Sequence, residues 1–195
     1  MNLPIAAVVR EAIVAYDEGR YGDANRLFAQ ASTVSAGDDL RVLNGLYLTH
    51  WKLRHQAEAK NAFGRLVGSG LNNKKLAMKF LFAPGGTSFI ADRDIQAQYT
   101  FWLQEIARQT ATQGACMKVV GHTSKTGGAE VNARLSLQRA EFVRERLSNN
   151  AATLRNRIAP VGAGFSQNLI GLGTDDARDA LDRRVEFQVV ECSQL

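Results

Sequence analysis

The sequence predicts an α+β protein in two parts, an all-α region over residues 1–72 and a β-α-β-α-β-α-β region over 73–195. Three observations carry this reading. Small and aromatic residues recur at helical spacing through residues 4–70. The run Gly68-Ser69-Gly70-Leu71-Asn72-Asn73-Lys74-Lys75 then interrupts that pattern. Beyond it, short apolar runs alternate with longer amphipathic ones, the pattern of helices covering a sheet.

In the first region Ala12, Ala15, Ala24, Phe28 and Ala31 occupy the contact positions of a helix pair. Ala24 and Phe28 recur thirty-five residues later as Ala59 and Phe63, and Tyr16 recurs as Trp51. The segment Ser35-Ala36-Gly37-Asp38-Asp39 separates the two units, with Asp38 or Asp39 placed to cap the next helix. Four helices are expected. The period and the small-then-aromatic pattern resemble tetratricopeptide repeats. Generic antiparallel helical hairpins remain the alternative.

In the second region Ala77–Phe82 reads as a strand, followed by the turn Pro84-Gly85-Gly86-Thr87. Residues 91–110 form a helix carrying Ile95, Trp102, Leu103 and Ile106. Cys116 to Val120 is a strand ending at Gly121, and residues 129–148 are a helix stopped by Ser148-Asn149-Asn150. Arg157 to Ala163 is a strand, and Thr174 caps a short helix through Leu181. The last strand, Arg184–Val190, puts Val185, Phe187 and Val189 on one face.

Composition narrows function without naming it. Of 195 residues, 45% are hydrophobic and 22% charged, ordinary globular values. A net charge of +5 suits an anionic partner. No basic run is interleaved with aromatics, so no nucleic-acid surface is expected. No apolar stretch nears the roughly 20 residues needed to span a bilayer. Asn2–Val9 is short, lacks a basic leader and runs into Arg10-Glu11, so it does not read as a signal peptide. An exported form is expected to be a mature or truncated chain with a start methionine added. No metal cluster, cofactor motif or catalytic constellation is expected. Ser124 and Ser136 lie near His122, but no Gly-x-Ser-x-Gly elbow surrounds either serine, so the chain does not read as an enzyme.

One residue is out of place. Val131, Leu135, Arg139, Val143 and Leu147 fall four apart on the second long helix of this region, four apolar side chains and one arginine. A guanidinium beside a buried face calls for a fixed anion, from the protein or from a ligand. Asp182 is the internal candidate, pairing either Arg139 or Arg183.

Gly121-His122-Thr123, then Asn132-x-x-Leu135-Ser136-x-x-Arg139-Ala140, then Arg183-Arg184-Val185-Glu186 appear in order. Together they resemble the peptidoglycan-binding domain of the OmpA-like family, over about residues 78–191. The resemblance implies a mixed four-stranded sheet. It implies non-catalytic binding of the diaminopimelate-containing stem peptide, with Arg139 taking a ligand carboxylate. Thr123, Ser124, Asn132 and Arg183 are the further site candidates; Arg184 is expected to be exposed or to contact a helix. For Asn132 a local backbone role stays open, and His122 reads as structural. A periplasmic, outer-membrane-associated location follows, with an envelope protein as a partner for residues 1–72.

The chain departs from the family at two places around the ligand's ammonium. The family has an aspartate where this chain has Ser124, and often an acidic residue just after the first strand's aromatic, where Phe82 is here followed by Ala83-Pro84, so both expected anions are missing. Three readings follow: weak binding of the same ligand, binding of a stem whose amino group is modified, or a fold kept for protein contact in an envelope assembly. The two cysteines, Cys116 and Cys192, open the second strand and close the fourth. If the last strand runs antiparallel to its neighbour, they lie close enough for a disulfide. Two separate buried thiols are the alternative.

Overall fold

The computed structural model describes residues 4–35, 39–174 and 176–195. Met1–Leu3, Asp175 and the segment Ala36–Asp38, which holds one of the two candidate caps, lie outside the described residues. The chain divides into two compact units, Met1–Ser69 and Gly70–Leu195.

The first unit is built from α1 (Ile5–Asp17), α2 (Tyr21–Val34), α3 (Leu40–Lys52) and most of α4 (Gln56–Asn72), whose last three residues lie past its boundary. Val8, Val9, Ala12 and Ala15 of α1 pack with Ala24, Phe28 and Ala31 of α2 and Val42 of α3. Gly45 lets the Phe28 ring lie against the α3 backbone, since a Cβ there would sit 2.3 Å from that ring. Ala59 and Phe63 of α4 are buried, as are Ala24 and Phe28 of α2, and Tyr47 meets Phe63 at 4.8 Å. Asp39 caps α3 by accepting from Arg41 N. α4 runs through Gly68 and Gly70 to Asn72, so these glycines do not end the helix as the sequence pattern suggested. Burial of Val67 and Leu71 outweighs the helix cost of about 1 kcal/mol per glycine.

The second unit is a mixed four-stranded sheet with helices. Its strands are β1 (Phe80–Leu81), β2 (Cys116–Gly121), β3 (Ile158–Gly162) and β4 (Arg184–Val190), in spatial order β1-β4-β2-β3. β4 pairs antiparallel with β1 and β2, while β2 and β3 are parallel. The helices are α5 (Arg93–Gln113) and α6 (Ala129–Asn150). Asp92 caps α5, and Gly114 closes it in a left-handed conformation at φ 63°. α6 continues through Ser148-Asn149-Asn150, two residues beyond the expected stop, because buried Leu147 and Ser148 hold its last turn against the fold. The expected first strand shrinks to Phe80–Leu81, whose flank is an aromatic cluster of Phe80, Phe82, Phe89 and Tyr99. The expected helix capped by Thr174 is a 3-10 turn over Ala177–Asp182 capped by Asp176.

One close approach sets the layer spacing. Gly121 and Gly162 are register partners at the ends of β2 and β3. A Cβ on Gly121 would lie 1.9 Å from Ser136 O, and one on Gly162 would lie 2.8 Å from both Leu137 N and Ser136 Oγ. Two glycines side by side thus admit the α6 backbone onto the sheet. The β3 edge is covered differently: Arg144 donates to Ile158 O at 3.1 Å, and Pro160 removes an edge donor.

Cys116 and Cys192 form a disulfide with Cα atoms 5.1 Å apart. β4 ends beside the start of β2, and Cys116 pairs with Val190. Intact-mass measurement after denaturing alkylation is expected to show no added alkyl groups without reduction and two after it. Gly121→Ala is expected to lower unfolding free energy by about 1–3 kcal/mol or more in urea titration, because the obstructing atom is backbone. Gly22→Ala, in the first turn of α2 where a Cβ meets nothing within 4 Å, is the control and is expected to leave stability unchanged or raise it by up to about 1 kcal/mol.

Candidate functional site

The candidate site lies where β1, β2 and α6 end or begin. Past Gly121 the chain stays pinned on both sides: His122 N donates to Arg184 O at 2.8 Å, and Thr123 N donates to Gly164 O at 2.9 Å. His122, Thr123 and Ser124 are therefore buried, while Lys125–Gly128 form an exposed loop. Gly127, at φ 91°, turns that loop into α6. The Thr123 hydroxyl is buried with no hydrogen-bond partner among the described residues. Asn132 Nδ2 donates to Thr126 O at 2.9 Å and Gly128 O at 3.1 Å, which is the local backbone role.

Arg139 is fully buried. Its Nε donates to Gly86 O at 2.9 Å, Nη1 to His122 O at 3.0 Å and Nη2 to Ala83 O at 3.0 Å. The guanidinium also lies over the Phe82 ring at 5.2 Å. One side chain of α6 thus fastens the loop after β1 to the end of β2. The residues around it are not the apolar row drawn from the sequence. Each four-residue step overshoots a helical turn by about 40°, so the row drifts by about 160° from Val131 to Leu147. Val131 is accordingly 57% exposed. The buried stripe is Asn132, Ser136, Arg139, Ala140, Val143 and Leu147.

Arg183 is buried beside it, with Nε donating to Phe82 O at 3.2 Å and Nη1 to Asp176 O at 3.1 Å. Arg139 and Arg183 therefore reach the carbonyls of consecutive residues, Ala83 and Phe82. Arg184, expected to be exposed or to contact a helix, is instead buried under the loop that follows β3. It donates to Glu186 Oε2 at 2.9 Å and Gln167 O at 3.2 Å. Both arginines are buried at this end of β4.

The sequence also assigned Asp182 to an arginine, and its carboxylate is used elsewhere. Asp182 accepts from Asn168 Nδ2 and from the amides of Leu169, Ile170 and Gly171 at 2.6–3.1 Å. These amides hold its pKa below the ordinary value although burial opposes them. Asp179 accepts from the amides of Leu172 and Thr174. Asp179 and Asp182 are three apart on a 3-10 turn, whose period is three residues, so both face the same loop. That spacing was the overlooked signal. The carboxylates shape the loop Asn168–Thr174, on which Leu169, Ile170 and Leu172 are exposed.

His122 is a buried neutral imidazole. Burial first, and then the Arg184 guanidinium, lowers its pKa to about 4, with Glu186 opposing from 3.3 Å. The folded value lies below the unfolded one, so the unfolded chain takes up the proton first. This group's stabilisation is present above about pH 6.5 and lost as pH falls towards 4, at no more than about 1.4 kcal/mol per pH unit. Its NMR imidazole resonance is expected to titrate near pH 4; a midpoint near 6.5 would contradict the burial argument.

Comparison with known proteins fits this geometry. Residues 81–181 match the OmpA family. Outer membrane protein Omp38 of Acinetobacter baumannii, in two strains, is 31% identical over 93 residues, which is 47% of this chain and 26% of Omp38. The chain therefore spans about a quarter of the length of these curated relatives. The crystal structure of the peptidoglycan-associated lipoprotein from Burkholderia pseudomallei is 26% identical with a TM-score of 0.50, covering 57% of this chain and 89% of that one. With the motifs, the mixed sheet and more than half of the chain matched, this protein belongs to the OmpA family.

Proposed function

We propose that the second unit binds peptidoglycan without catalysis, at the surface between the loop after β1 and the Thr123–Gly128 loop. The observation that carries this reading is the meeting of two buried guanidiniums, Arg139 and Arg183, at the adjacent carbonyls of Ala83 and Phe82. A ligand carboxylate makes charge-assisted and bidentate bonds to a guanidinium, and two guanidiniums close together at this end of the sheet suit one. The buried Thr123 hydroxyl adds an unused hydrogen-bonding group at the base of the same loop. The similarity to a peptidoglycan-associated lipoprotein supports the same class of ligand. The finer reading is a stem peptide carrying diaminopimelate, met by Arg139, Arg183, Thr123, Ser124 and Asn132.

The proposed setting is the periplasm, in association with the outer membrane. Residues 1–72 would then engage an envelope protein. A second reading keeps the fold for protein contact within an envelope assembly. It is favoured by one observation: all five candidate residues are buried in the chain without ligand.

Sedimentation with purified sacculi, with free diaminopimelate as competitor, separates the two. Wild-type protein is expected to co-sediment and to be displaced by the competitor. Ser124→Asp, which supplies a carboxylate for the ligand's ammonium, is expected to tighten binding by about 1 kcal/mol or more. Thr123→Val removes a hydroxyl that has no partner in the fold. It is expected to leave stability unchanged or raised while weakening binding. Failure of the wild type to co-sediment, or indifference to both substitutions, would favour the protein-contact reading.

A further inference from the structure

Two of the chain's three histidines face each other in the first unit, outside everything described so far. His50 lies in the last turns of α3, and His55 immediately precedes α4. Between them the chain makes a helix-ending turn of a defined kind. Arg54 N donates to Trp51 O at 3.1 Å, and His55 N donates to His50 O at 2.9 Å. Arg54 takes the left-handed conformation at φ 64°, a place usually given to glycine. This is the Schellman arrangement, in which the residue after the left-handed one touches the residue five before it. That contact is usually apolar. Here it is a pair of imidazoles.

The two Nδ1 atoms are 3.4 Å apart. That is long for a hydrogen bond from a ring N–H, whose usual range is about 2.7–3.2 Å. It matches another geometry. Two imidazole nitrogens bound at about 2.0–2.1 Å to a tetrahedral ion lie about 3.3–3.4 Å apart. A small cavity of about 30 Å³ lies alongside, lined by His50, Trp51, Arg54 and Gln56. Among the charges around it, Glu58 in the first turn of α4 favours a cation and Arg54 disfavours one.

We propose that His50 and His55 form a binding site for a zinc-type divalent transition-metal ion, held by both Nδ1 atoms and open to solvent on the exposed His55 side. Among the described residues no third histidine, cysteine or carboxylate completes the set, so the remaining positions belong to water or to an incoming ligand. The far side of His50 faces Asn25. Asn25 Nδ2 lies 3.3 Å from His50 Nε2 and donates to Thr49 Oγ1 at 2.8 Å, while Thr49 Oγ1 donates to Gly45 O at 2.8 Å. With Nδ1 on the metal, His50 carries its proton on Nε2. Asn25 must then turn its carbonyl oxygen to accept that proton, and the Thr49 hydroxyl exchanges Gly45 O for the same oxygen.

The test is calorimetric titration of zinc chloride into the untagged full chain at pH 7.5, with magnesium chloride as control. One zinc ion per chain is expected, with a rise in melting temperature and no response to magnesium. His50→Gln and His55→Gln are each expected to weaken zinc binding at least tenfold. His55→Leu restores the apolar contact usual for this turn, so it is expected to fold with unchanged or higher stability and to lose zinc. Absence of zinc binding by the wild type, or equal affinity in wild type and His55→Leu, overturns the proposal.

Discussion

The contact on which the second unit depends is the approach of α6 to the sheet at Gly121 and Gly162. At Gly121 backbone meets backbone, and at Gly162 the Ser136 hydroxyl reaches the same contact. Ser136 sits at the contact point, and its hydroxyl accepts from Gly164 N while donating to Ala133 O. This fixes the loop after β3 to the helix as well. Once α6 is held at Ser136, its rise of about 1.5 Å per residue places Arg139 beneath His122. The reach of Arg139 to the loop after β1 follows from that placement. A small shift in layer spacing would therefore be felt at three carbonyls, those of Ala83, Gly86 and His122.

Among the described residues, four buried charges of this unit meet backbone groups. Arg139 and Arg183 donate to carbonyls, and Asp179 and Asp182 accept from amides. The two solutions have different effects. Arginines tie together segments distant in sequence, such as Arg183 to Phe82. Aspartates instead shape one local loop. Unsatisfied, any of these groups would cost several kcal/mol, so each pairing also fixes a loop conformation. The result is an end of the sheet where four buried charges each fix a loop conformation.

Ser124 stands where the main chain leaves the sheet, just after the pins from His122 N to Arg184 O and from Thr123 N to Gly164 O. Arg139, the motif's arginine, is also the clasp between the loop after β1 and the end of β2.

Element order, the helical first region and the three separated motifs were legible in the sequence because each rests on local periodicity or on residue identity. The positions of Gly121, Ser136 and Arg139 relative to one another were legible only through their motifs. The partners of the buried charges were not legible at all. Asp182 is next to Arg183 in sequence, yet it binds amides more than ten residues upstream, since the 3-10 turn points its carboxylate at the loop. Val131 belongs to an apolar row only if the helix is read at a period of four; the true period of about 3.6 carries it into solvent. The His50–His55 contact was hidden for a related reason. A separation of five residues brings side chains together only when a helix ends between them in a left-handed turn, and nothing in the sequence announces that turn when its central residue is Arg54 instead of glycine. Pattern thus determined which elements form, and the three-dimensional packing decided which polar groups answer one another across them.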